Sequence, residues 1–132
     1  MTRTRRSREG AAAIEFALIL PVFVALIFGL IDWSWYMFQW LNVDMAVQQG
    51  VRVAVGEATD PAAVAVAAVQ AELDRYNVPY QTSEVTATLD AVTGGFTVTV
   101  VAAVAFDPVF GLVTTPNSLG CRASGDWYGD EI

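Results

Sequence analysis

The chain contains no histidine and no lysine, and its one cysteine is Cys121. Without histidine it has no side chain whose ordinary pKa lies near neutrality, and no imidazole for a common metal site. A single cysteine excludes an internal disulfide and a cysteine-cluster zinc site. In an oxidising compartment Cys121 is either a partly buried thiol or one half of a bond between chains. No glycine-rich phosphate loop occurs, because Gly94-Gly95 falls between two strand-patterned runs and reads as a turn. The acids near the end, Asp126, Asp130 and Glu131, match the spacing of no calcium loop and read as a solvated tail. These absences point away from an enzyme and from any cofactor or metal.

Positive charge is also scarce, and it is placed unevenly. The formal net charge is −7, yet Arg3, Arg5, Arg6 and Arg8 crowd the start. From Asp32 onward only Arg52, Arg75 and Arg122 stand against twelve acids. Such a balance excludes nucleic acid as a partner and suits a surface that repels its like or meets a basic one.

The feature that is present in excess is hydrophobic length. From Phe16 to Ile31 no residue is charged, and counting from Ala11 the apolar segment is twenty-one residues, interrupted only by Glu15. As a helix at ~1.5 Å per residue this covers about 31 Å, close to the ~30 Å hydrocarbon core of a bilayer. The run is apolar on all sides, which predicts a transmembrane helix over 11–31. Arginines before it and Asp32 after it place the N-terminus in the cytoplasm and the remainder across the membrane. A secretory signal peptide fits less well, since the run exceeds the usual h-region and passes into aromatic residues without a small-residue cleavage site. A twin-arginine signal fits poorly, because Glu15 interrupts the apolar run. Trp33, Trp35, Tyr36 and Trp40 mark the far membrane interface, or else a packing surface between subunits. Pro21 lacks a donor and crowds the carbonyl of Ala17, so a helix kink is expected there.

Gly10-Ala11-Ala12-Ala13-Ile14-Glu15-Phe16 resembles a type IV prepilin processing site: a basic leader, a glycine, then an apolar helix with glutamate fifth. With Phe16, Ala17, Leu18 and Pro21 following, the segment is similar to the TadE-like family, pseudopilins of the tight-adherence (Tad) pilus systems. The resemblance covers about residues 5–57. It implies cleavage by a prepilin peptidase between Gly10 and Ala11. It also implies that Glu15 docks the subunit, pairing with the terminal amine of a neighbour, with Phe16 beside it. The chemistry is coherent: Glu15 lies one helical turn from the amine that cleavage would create on Ala11, at the positive end of the helix dipole.

The remainder predicts an α+β head. Trp33, Met37, Leu41 and Met45 step by four, and Val47, Val51 and Val55 continue a nearby stripe, so the helix extends to about residue 56, its outer half packing on the head. Asp60-Pro61 starts a second helix over about 61–76, with Val66, Val69, Leu73 and Tyr76 as its apolar stripe. After Pro79 the period becomes two. Val85, Ala87 and Leu89 alternate, Thr93-Gly94-Gly95 turns, and Phe96–Phe106 returns as a hairpin partner. Asp107-Pro108 breaks it, residues 111–118 read as a loop, and a third strand is expected over about 119–127 despite Gly120 and Gly125.

The expected organisation is thus a basic leader (1–10), a membrane helix (11–31), its extension (32–58) and a small antiparallel-sheet head (59–132). The expected role is a minor pilin or pseudopilin of the bacterial inner membrane, with its head periplasmic or extracellular. Its expected partners are membrane lipid, the prepilin peptidase, other pilin subunits and the inner-membrane assembly platform. The alternative is an uncleaved single-pass accessory protein that tethers a binding head.

Overall fold

The computed structural model describes residues 3–56, 59–92 and 95–127. Thr93, Gly94, Asp130 and Glu131, and the side chains of Ala11 and the leader arginines, lie outside that description. The elements are α1 (Arg3–Val55), α2 (Pro61–Arg75), a single 3₁₀ turn (Thr82–Glu84), and strands β1 (Val85–Val92), β2 (Gly95–Ala105) and β3 (Ser118–Trp127). They fall into two units, one of α1 through Trp35 with Pro108–Thr115, the other of Tyr36–Asp107 with the chain from Pro116 on. The fold class is the expected one, α+β with a long N-terminal helix.

Helix α1 begins at Arg3, earlier than residue 11, and runs without interruption through Gly10 and Pro21. Arginine and glutamate are good helix formers, and a single glycine costs about 1 kcal/mol relative to alanine, too little to stop a helix already begun. At the other end the Gly56 N–H donates to the Val53 carbonyl at 3.2 Å.

In the second unit the outer half of α1 is buried along one line, made by Val43, Ala46, Val47, Val51 and Ala54. This corrects one expectation: the stripe of Met37, Leu41 and Met45 is exposed, as is Val55, and the line next to it carries the core. The inner line is the one with small residues. At Gly50 a Cβ would come within 2.5 Å of Val69 Cγ2 and 3.0 Å of the Ala65 carbonyl oxygen, so the missing side chain lets α2 cross closely.

Helix α2 starts as its sequence predicts. The Asp60 carboxylate accepts from the Ala63 N–H at 3.0 Å, and Pro61 occupies the first turn, where no donor is needed. The helix ends where Asn77 takes a left-handed φ of 58° and the Val78 N–H returns to the Leu73 carbonyl. Its buried line is Pro61, Ala65, Val69 and Leu73. Of the expected stripe, Val69 and Leu73 hold, whereas Val66 is only partly buried and Tyr76 is exposed at the cap. Alanine at 65 admits the closer approach that the bulkier neighbour would block.

The sheet order is β1-β2-β3, antiparallel throughout. Val85 faces Ala102, Ala87 faces Val100 and Leu89 faces Val98, so the alternation read from the sequence puts these residues on one side. On that side Val98, Val100, Ala102 and Val104 are fully buried, with Leu119 and Cys121 of β3 beside them. The third strand is present through both glycines. At Gly125 a Cβ would stand 2.6 Å from Val51 Cγ1, so this glycine is where β3 closes on α1. The Glu84 carboxylate accepts from Gln81 N–H at 2.7 Å and from Ala105 N–H at 3.3 Å, fastening the 3₁₀ turn to the end of β2.

Candidate functional site

The residues singled out for processing and docking all lie on α1. Gly10 is exposed within the helix, and open space surrounds the position its Cβ would take. Glu15 and Phe16 are exposed one to two turns later, and the helix surface around them from Ile14 to Leu26 is exposed and apolar. Among the described residues no hydrogen bond or ion pair reaches the Glu15 carboxylate. A carboxylate so placed costs on the order of a few kcal/mol in hydrocarbon unless a partner or headgroup water takes it up. Among the described residues one helix, Ala12–Val55, is long and apolar enough to cross a membrane.

The aromatic cluster divides. Trp33 and Trp35 are exposed in the first unit. Tyr36 and Trp40 belong to the second, where both pack against the buried core. The Tyr36 ring meets Phe106 edge-on, with centroids 5.1 Å apart and an 88° interplanar angle.

The first unit holds a feature the sequence reading passed over. Asp32, taken there only as the first charge after the apolar run, is fully buried. Its Oδ1 accepts from the Phe110 N–H at 2.9 Å and its Oδ2 from the Gly111 N–H at 3.0 Å. One turn earlier Phe28 stacks on Phe110 at 4.4 Å and 18°. A Cβ on Gly29 would meet Val113 Cγ2 at 2.7 Å. The one signal available in sequence was the apolar string Pro108–Val113 inside a segment otherwise read as a break and a loop.

Cys121 is buried, and its Sγ lies 3.9 Å from the Trp40 carbonyl oxygen, to which it donates. Burial pushes the thiol up to about 11, with the nearby Asp44 charge adding to the shift. In that state it is a core thiol and a poor nucleophile. Among the described residues no group of His, Cys, Asp and Glu is arranged to hold a metal ion. Asp126 accepts instead from the Thr97 hydroxyl across β2 and β3 at 3.2 Å.

No curated protein and no solved structure matches the chain. Residues 10–52 match the family model described as TadE-like protein. That segment holds Gly10, Glu15, Phe16 and Pro21, the positions that carry the resemblance read from the sequence. Through it this segment, about a third of the chain, is similar to the TadE-like proteins.

Proposed function

We propose that the chain is a minor pilin or pseudopilin of a Tad-type pilus, cut by a prepilin peptidase between Gly10 and Ala11 and then packed through α1 into an assembly of subunits. The observation that carries this reading is Glu15: an exposed carboxylate within an exposed apolar helix surface, one turn beyond the proposed new terminus. In lipid alone that charge is costly; beside the amine of a neighbouring subunit it is paired. Gly10 supports the cut as well. A peptidase needs the chain locally extended, and glycine is the residue that releases helix at least cost. The basic leader stays in the cytoplasm, and the acidic head stands on the other side. Phe16 flanks the docking pair, and Pro21 lets the helix bend as neighbours close around it. The inner-membrane assembly platform receives the processed subunit.

The test is the intact mass and N-terminal sequence of the protein recovered from membranes, with and without an active peptidase. A chain beginning at Ala11 only when the peptidase is present is the expected result. A chain that keeps its leader in both cases would replace this reading with an uncleaved tether. Glu15→Ala is expected to be cut normally yet to lose incorporation on the order of a hundredfold, since leaving one member of a desolvated ion pair alone costs about 3 kcal/mol or more. Unchanged incorporation would remove the docking role.

A further inference from the structure

The segment joining β2 to β3 has the wrong chemistry for a water-facing loop. From Pro108 to Cys121 it carries no charged side chain. At its tip Val109, Phe110, Leu112 and Val113 are 55%, 46%, 60% and 37% exposed. Four large apolar side chains among six consecutive residues form a patch of the kind that marks a contact surface.

Its position on α1 says what that contact is. The tip rests on Phe28 by ring stacking, on Gly29 through Val113, and on Asp32 through two hydrogen bonds. Phe28 and Gly29 lie inside the 11–31 segment read as membrane-spanning. A loop stacked on them sits at the depth of the span's last turn, level with the exposed Leu30 and Ile31. Backbone at that depth must have its donors satisfied within the protein. Pro108 has no N–H, and the N–H groups of Phe110 and Gly111 are both taken by the buried Asp32 carboxylate. Gly111 makes the turn with φ 65°, a conformation other residues adopt only under strain.

We infer that the tip at 108–113 is a second membrane contact of this chain, dipping into the acyl chains of the exoplasmic leaflet beside α1, with Asp32 as the internal acceptor that lets its backbone enter. The occupant of the patch is lipid, because the patch continues the apolar exposed surface of the span at the same depth. The inference rests on the reading of 11–31 as the span.

The test is a nitroxide spin label on Leu112→Cys in the full chain, reconstituted in phosphatidylethanolamine–phosphatidylglycerol vesicles. Accessibility is read with oxygen, which partitions into lipid, and with a water-soluble nickel chelate. Buried Cys121 stays native, and the unsubstituted chain treated in parallel gives its background. The Leu112 label, and a Val109→Cys label as a second site, are expected to keep oxygen relaxation and lose nickel relaxation, as Leu26→Cys does. A label on Thr86→Cys, exposed on β1, should show the reverse. Nickel access at 109 and 112 with Leu26 still lipid-facing overturns the inference and leaves the span standing. Protection from both reagents means a protein cover, such as a second copy, and also overturns it. Nickel access at Leu26 removes the span, and the inference with it.

Discussion

The two halves of α1 are one continuous helix with two different surfaces. From Ala12 to about residue 27 the helix is exposed around its circumference and apolar but for Glu15; from Asn42 to Ala54 it is buried along one line and exposed along the others. Apolarity is therefore no guide to which part of this helix is core. The first half carries an exposed apolar coat, long enough to cross a membrane. The second seats α2 closely at its own Gly50 and meets β3 at the strand's Gly125, and leaves Met37, Leu41 and Met45 outside.

The sharpest way to test that contrast is the same truncation in each region. Leu73→Ala removes a fully buried side chain from the line that faces the outer half of the helix. It should cost about 2–5 kcal/mol, lowering the thermal midpoint of the head in micelles by ~10 °C or more. Leu26→Ala, in the exposed coat, should change that midpoint by less than about 0.5 kcal/mol's worth. Equal effects would show that the coat is core after all.

A smaller effect, with a change of sign, is expected from glycine to alanine. In the open helix around Gly10 the added methyl meets nothing and should firm the helix by up to about 1 kcal/mol. At Gly50 the same methyl meets Val69 and a backbone oxygen that cannot swing aside. The overpacking cost of ~1–3 kcal/mol exceeds the helix gain, for a net loss of about 1 kcal/mol. Amide exchange along α1 reads both. The smallest effect is a pH dependence. The folded head holds the Cys121 thiol neutral, up to about 11 against an ordinary 9.0. This contribution is whole below pH ~9 and is lost as the pH climbs toward ~11, an effect on the order of 1 kcal/mol. Cys121→Ala should flatten the decline in denaturant midpoint over that window relative to the parent chain.

Much of this was legible in the sequence, and the limits have physical reasons. The Asp60-Pro61 start of α2 and the period-two strands β1 and β2 are local signals, set by neighbours along the chain. The third strand was obscured by Gly125, which looks like a strand breaker until Val51 is seen occupying the space of its absent side chain. The buried line of α1 was found in part: Val47 and Val51 are core as expected, whereas Met37, Leu41 and Met45 are not, because two apolar stripes run side by side and only tertiary packing selects the one with glycine and alanine. Asp32 was invisible in its real role because its partners are backbone N–H groups 78 and 79 residues away, which have no sequence signature. Glu15, by contrast, needed no fold to be noticed, since a lone carboxylate in an apolar run is conspicuous by itself.

The approach of Val51 to Gly125 also sets an order in time. These contacts join a helix made early to the last strand made, while the sheet itself is a meander of neighbours in sequence. Local pairings form fast and the distant closure forms last. The stretch of α1 around Val51 therefore stays uncovered until residues near 125 have paired into β3. During that interval the unfinished head presents sticky surface, the condition under which nascent chains are lost to aggregation or handed to a holding factor.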